Sequence, residues 1–275
     1  MKVRFIYLIL LSITILSLSA CSSDEKLIIE DTSDEISGGE DNGNTSSGIT
    51  VAKRVLIEDY VATWCGNCIL AIEKSEDADK NVFVPVAIHF LGSELENETA
   101  INVAKENNVS SQTTVIVDKH TSHSFRNDFK ASDYPSASTV AIAIDTEISN
   151  SNLNANLQFK FYKDFSNLKY TVYLLENNIV STQTNYQFDG SKYQSSPRTI
   201  TNFNHNHVLQ QAILNQVIPD SESVNENVFV VNQNFNVSGK NEANLDVVVF
   251  IESASEVLNT QIVSADNQVA FHAEK

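Results

Sequence analysis

Asp59-Tyr60-Val61-Ala62-Thr63-Trp64-Cys65-Gly66-Asn67-Cys68 is the stretch on which the reading of this chain turns. An apolar run from Arg54 to Ala62, holding Val55, Ile57, Tyr60 and Val61, predicts a strand that delivers a Cys-x-x-Cys pair at its carboxyl end. Ile69 to Asp79 follows with helical spacing, so the pair stands at a helix N-terminus. The unbonded N–H groups there favour a thiolate and lower the first cysteine from about 8.5 toward ~7. Cys65 is therefore the candidate nucleophile, Cys68 the resolving thiol, and Trp64 a shield beside them.

Working outward, Val82 to Ile88 predicts a second strand ending at His89, and Asn97 to Asn107 a second helix. Thr114-Val115-Ile116-Val117 predicts a third strand. Strands alternating with helices imply a parallel α/β unit whose ligands sit at the carboxyl ends of the strands. His89 would reach the same edge as the cysteines, either supporting a thiolate or capping a turn. From Ser138 onward the period becomes two: Leu157, Phe159 and Phe161 alternate with polar residues, as do Tyr170, Val172 and Leu174, and Leu245, Val247, Val249 and Ile251. Turn clusters such as Asn177-Asn178 and Asp189-Gly190 separate these runs, which predicts a β-sandwich. Ser181 to Ile200 has no clear period and reads as a long loop, a candidate contact surface.

The start of the chain is an address. Met1-Lys2-Val3-Arg4 is basic, Phe5 to Leu18 is almost wholly apolar, and Ser19-Ala20 precedes Cys21. That pattern resembles a bacterial lipoprotein signal, in which Cys21 is acylated and anchors the chain to a membrane without a spanning helix. Ser22 to about Gly48 is acidic, with Gly, Asn, Ser and Thr at its end, and reads as a self-repelling tether. The expected organisation is thus a signal peptide over 1–20, a lipidated tether over 21–50, an α/β domain over 51–135 and a β-sandwich over 136–275. Once Cys21 is lipidated, only Cys65 and Cys68 of the three cysteines keep thiols.

Hydrophobic residues make up 42% and charged ones 19%, which excludes wholesale disorder. Lys and Arg number 18 against 35 Asp and Glu, a formal charge of −17, so a nucleic-acid partner is excluded by repulsion. No phosphate-cradling glycine motif or hydrolase elbow occurs, and no cofactor is expected. His205 and His207, two apart, would share a face on a strand and could ligate a metal, but neither has a carboxylate or cysteine nearby. His120 and His123 lie too far along the chain from the cysteines for a common zinc spacing. No metal site is assigned.

The segment Asp59 to Cys68 resembles the active-site segment of thioredoxins. The resemblance implies that Asp59 is a buried acid passing a proton to the resolving cysteine, unless Glu58 is the inward residue instead. It also puts Thr113 where that family carries a cis-proline, and Ile69 where a proline or basic residue is usual, which implies weakened or altered redox function. Val55-Leu56-Ile57-Glu58-Asp59-Tyr60, Val84-Pro85-Val86-Ala87-Ile88-His89 and Asn204-His205-Asn206-His207-Val208-Leu209 resemble a narrower group, the lipoproteins related to the 28-kilodalton outer-membrane protein of Gram-negative bacteria. That resemblance implies an α/β thioredoxin-like domain followed by an all-β immunoglobulin-like sandwich domain. The functional expectation is a lipid-anchored thiol–disulfide oxidoreductase acting on exported or surface proteins, at the outer membrane. The alternative is a non-catalytic surface lipoprotein that binds a partner through its β-sandwich, with the cysteines as a structural disulfide.

Overall fold

A computed structural model describes residues 48–271 of the chain. The expected signal peptide, Cys21 and nearly all of the tether lie outside the described residues. In chain order the elements are β1 (Val51–Ala52), β2 (Val55–Val61), α1 (Cys68–Glu76), β3 (Phe83–His89), α2 (Glu98–Glu106), β4 (Thr114–Val117), β5 (Thr121–His123), β6 (Ala137–Ser138), β7 (Val140–Ser149) and β8 (Asn152–Phe161). They continue with β9 (Lys169–Glu176), β10 (Ile179–Thr184), β11 (Thr199–His205), β12 (Val208–Val217), β13 (Val228–Asn236), β14 (Leu245–Glu252), β15 (Val257–Ser264) and β16 (Gln268–Val269).

The helical crossover α1 makes β2 and β3 parallel neighbours, in register from Val55 opposite Phe83 to Val61 opposite His89. Every residue of both strands is buried, as befits strands covered on two faces. On one face Val55, Ile57 and Val61 pack against Ile69, Ala71 and Ile72 of α1. On the other, Leu56, Tyr60, Val84 and Val86 pack against Ala100, Val103 and Ala104 of α2. Asn97 seats that second helix: its Oδ1 accepts from Ala100 N at 2.9 Å while its Nδ2 donates to the Leu209 carbonyl at 2.7 Å.

The sheet does not end at β3. Val208 at the start of β12 pairs in parallel with Ala87, and β12 runs antiparallel to β9, giving an eight-stranded order β15-β14-β9-β12-β3-β2-β4-β5. Tyr173, Leu175, Val248 and Phe250 consequently share one core with Leu56, Tyr60 and α2. The opposite face of β9 and β14, with Val172, Leu174, Val247 and Val249, packs on a four-stranded sheet of order β13-β8-β7-β16 through Ile142, Ile144, Leu157 and Phe159.

This overturns the expected fold class. The chain is mostly β, with two α-helices among the described residues, and it shows no separate α/β thioredoxin-like domain followed by an immunoglobulin-like one. The physical reason is pairing at long range. A buried strand such as β3 needs a neighbour on each edge, and that neighbour comes from residue 208, which local periodicity does not reveal.

Candidate functional site at the cysteine pair

The turn between β2 and α1 is wound by Cys65 N donating to the Ala62 carbonyl and Cys68 N to the Cys65 carbonyl, both at 3.1 Å. This brings the Cys65 and Cys68 Cα atoms to 5.3 Å, and the two are joined as a disulfide. Thr113, whose peptide with Gln112 is cis, sets its hydroxyl oxygen 3.3 Å from each sulfur. Trp64 is half exposed, held by its indole N–H donating to the Leu91 carbonyl at 3.2 Å. Cys68 is fully buried and Cys65 only 8% exposed.

What covers Cys65 is the chain's own β10–β11 hairpin and the loop at its tip. Gln183, itself fully buried, donates through Nε2 to the Cys65 carbonyl at 3.0 Å. Thr184 N donates to the Thr63 carbonyl at 2.7 Å, and Tyr186 N to the Gly66 carbonyl at 3.4 Å. Glu94 Oε2 accepts from Ser181 and Thr182 at 2.6 and 2.9 Å. At the far end Ser191 donates to Glu73 Oε2, and Lys192 reaches Glu76 and Asp77 at 3.3 Å. Buried Asn185 gathers the loop by donating to the Tyr193 carbonyl at 2.8 Å. The segment read as a free loop is therefore partly strand, and it is strapped over the cysteine turn.

Gly66 is part of that strap. A Cβ built there would stand 2.1 Å from a Tyr186 ring carbon, so only glycine lets the ring lie over the turn. Tyr186 is 54% exposed and free to swing outward. Gly66→Ala is therefore expected to lift the ring and speed reduction of Cys65–Cys68 by a small thiol several-fold. Tyr186→Ala should match it, and an unchanged rate in both would show that the ring does not protect the disulfide.

Two adjacent carboxyls are buried on opposite faces of β2. Asp59 shares the face of Val55, Ile57 and Val61, under α1, and burial pushes its carboxyl up to about 7, with the nearby Ser75 hydroxyl opposing and the Glu76 charge adding. Its Oδ1 has no hydrogen-bond partner among the described residues. Glu58 faces α2, where Tyr173 donates to Oε1 at 2.9 Å and Asn107 bridges it to the Tyr60 hydroxyl. Burial raises the Glu58 carboxyl too, against the pull of Lys119. Sequence periodicity left the choice between them open, and both prove to point inward.

His89 ends β3 beneath the hairpin. Its Nδ1 lies 2.9 Å from the Ser93 hydroxyl, whose oxygen also accepts from Thr63 N at 3.2 Å. Its ring meets that of His205 edge-on at 5.1 Å, and burial pushes it down to about 3, with His205 adding to the shift. His205 donates through Nε2 to the Thr182 carbonyl at 3.1 Å and stacks edge-on against Phe203. His207 does not join it. The backbone turns there at φ +56°, and His207 N donates to Asn177 Oδ1 at 2.8 Å beside a polar cleft lined by Glu76, Asn206 and Asp246. The shared strand face expected for this pair is lost to that turn. His123 lies 3.3 Å from the Tyr134 hydroxyl and stacks on Phe129 at 4.3 Å. Among the described residues no three His, Cys, Asp or Glu side chains converge as metal ligands.

These features define a class first: a β-rich chain whose disulfide turn is strapped by its own hairpin. Residues 103–269, more than half of the chain, match the family model of outer membrane protein Omp28, and the chain belongs to this family of outer membrane proteins. Its structure is similar to HBP35 of Porphyromonas gingivalis, at 15% identity and a TM-score of 0.58, over 78% of this chain and 76% of that one, which is a likeness of fold. A domain of the outer membrane lipoprotein Omp28 from Porphyromonas gingivalis aligns at 15% identity with a TM-score of 0.30, over 47% of this chain and 89% of that one. No curated protein matches the chain. No helix among the described residues is long and apolar enough to cross a membrane.

Proposed function

We propose that the chain is a non-catalytic, partner-binding lipoprotein of the outer membrane, anchored through an acylated Cys21, in which Cys65–Cys68 is a structural disulfide. The observation that carries this reading is the strap. A redox site must present its attacking sulfur to a partner chain, yet here Gln183, Thr184 and Tyr186 of the same chain occupy that surface and bond to Thr63, Cys65 and Gly66. The family match supports it as well, because residues 103–269 hold the hairpin and most of both large sheets but neither cysteine. On this reading an exported or surface protein is met by the β-rich second half.

The competing reading, with Cys65 attacking and Cys68 resolving, draws on one observation: the buried Asp59 lies on the α1 face of β2 with its carboxyl raised to about 7. One experiment separates the two. The reduction potential and alkylation rate of the pair are measured in a soluble fragment from residue 49. A potential below about −300 mV with slow alkylation is expected for a structural disulfide. A potential between about −120 and −270 mV, with Cys65 alkylated quickly near neutral pH, would overturn the proposal.

A further inference from the structure

Trp64 and Leu91 form an apolar pair at the surface, 52% and 47% exposed, joined by the indole N–H on the Leu91 carbonyl. Leu91 stands at φ +54° and Gly92 at φ +78°. A leucine is disfavoured in the left-handed region by its own Cβ, so the backbone here works against the side chain it carries outward. The loop that follows, residues 91–98, holds Glu94, Glu96 and Glu98 and no lysine or arginine, while the turn from Ala62 to Ile69 has no charge at all. Glu94 N donates to Thr63 Oγ1 at 3.1 Å, which makes the loop and the turn one surface. Glu96 Oε2 accepts from Gly92 N at 2.7 Å, and Glu98 is exposed in the first turn of α2. The Ser181 and Thr182 hydroxyls hold the Glu94 carboxyl below the usual range. None of the three acids is in an ion pair among the described residues. The indole is unengaged as well. Lys119, Arg126, Lys160, Lys163 and Lys192 each stand over a phenylalanine or tyrosine ring, yet Trp64, the strongest type of ring acceptor, has no cation over it among the described residues.

We propose that Trp64 and Leu91, with the acids of this loop at their rim, dock a basic segment of an exported protein, one that presents lysine or arginine beside an apolar side chain. Resting on the partner-binding reading, this extends the contact surface of the second half onto the loop that Glu94 ties to the hairpin. Charge selects the occupant. A chain of net charge −17 repels acidic partners, phosphate-bearing surfaces and its own copies, and it draws basic segments in. At the surface itself each part has a role. The open indole face takes an ammonium or guanidinium, the unpaired carboxylates balance its charge, and Leu91 covers the apolar neighbour.

Trp64 is the single tryptophan, so its fluorescence reads this surface directly in the full-length lipidated chain, kept in an uncharged detergent. The probe is the peptide Gly-Ser-Leu-Lys-Lys-Leu-Ser-Gly, which has no aromatic residue, beside the same peptide with both lysines acetylated. The lysine peptide is expected to change the emission saturably, and the acetylated one to bind about tenfold more weakly. Raising salt from about 50 to about 500 mM should weaken the lysine peptide several-fold. Leu91→Asn places a residue suited to φ +54° there, so the fold is kept, and binding should still fall about tenfold. Glu96→Gln with Glu98→Gln keeps the bond from Gly92 N and should weaken binding about as much. Asp145→Asn with Glu147→Gln removes two exposed charges from β7 instead and should change nothing. No saturable change with the lysine peptide would overturn the proposal. So would equal binding of the acetylated peptide, which signals apolar contact alone, unchanged binding in Leu91→Asn, or equal loss in the β7 variant, which signals attraction to the whole chain. The potential of Cys65–Cys68 is a separate measurement, so a failed titration leaves the structural-disulfide reading where it stands.

Discussion

Replacing Phe250 by alanine is expected to lower the stability of the fold over residues 48–271 by about 3–5 kcal/mol, and to weaken its two halves together. The ring is fully buried, meets Tyr173 edge-on at 5.3 Å, and carries the Lys119 ammonium 5.3 Å above it. It belongs to the core that also holds Leu56, Tyr60, Val84 and Val103. Its removal therefore opens a cavity between strands from opposite ends of the chain. The single tryptophan, Trp64, sits on the cysteine turn and reports on β2 and α1. Urea unfolding followed by Trp64 fluorescence and by far-ultraviolet dichroism should shift to lower denaturant by the same amount. A fluorescence midpoint that stays put while dichroism moves would show that the eight-stranded sheet does not unfold as a unit. Phe250→Leu, which keeps most of the volume, should cost less than about 1.5 kcal/mol.

That cross-chain core was the least legible part of the fold. Local period placed strands over Arg54 to Ala62, Val82 to Ile88 and Thr114 to Val117, where the structure has Val55–Val61, Phe83–His89 and Thr114–Val117, and it placed the two helices nearly to their ends, because apolar spacing is a local signal. Strict alternation likewise marked β8, β9 and β14. Which strand lies beside β3 depends instead on closure between residues 87 and 208, and no window of sequence contains both. The expected α/β domain failed for that reason, even though its individual strands and helices were seen.

The site was half legible for a related reason. The cysteine pair, Asp59 and Trp64 are contiguous or nearly so, whereas Thr113 came to the sulfurs through resemblance to a family and not through any period. The strap was missed because Gln183 and Asn185 are polar, and polarity in a segment without period reads as exposure. They are buried because backbone carbonyls of Cys65 and Tyr193 satisfy their amides. Glu58, which the sequence offered only as the alternative to Asp59, is buried for the same reason, with Tyr173 supplying its partner from a strand more than a hundred residues downstream. His207 escaped because a left-handed turn at a residue other than glycine leaves no sequence mark.

Asp59→Asn is expected to stabilise the chain by about 2–4 kcal/mol at roughly pH 8 and to change nothing below about pH 4. The ordinary value of the carboxyl is 3.8, and burial raises it to about 7 in the folded chain. Between these values the folded state holds a proton that the unfolded state has released, so the wild type loses stability as pH rises through this window. Above about pH 7 the folded chain carries a buried, unpaired carboxylate whose Oδ1 has no partner among the described residues, a cost that asparagine removes at nearly equal volume. His89 works in the opposite direction. Its ring goes from 6.5 when unfolded to about 3 when buried, so its contribution is intact above about pH 6.5 and is lost as pH falls toward 3. From about pH 4 to 6.5 these two slopes oppose each other, with Glu58 adding to the first and His205 and His207 to the second. In Asp59→Asn one acid slope is gone, so on acidification from about pH 6.5 stability should fall more, or rise less, than in the wild type. Urea midpoints for both proteins at unit steps from pH 4 to 8 give the difference directly. A difference that rises from near zero to a plateau above pH 7 fits a buried acid, whereas a difference independent of pH would mean that Asp59 ionises in the folded chain as it does in water.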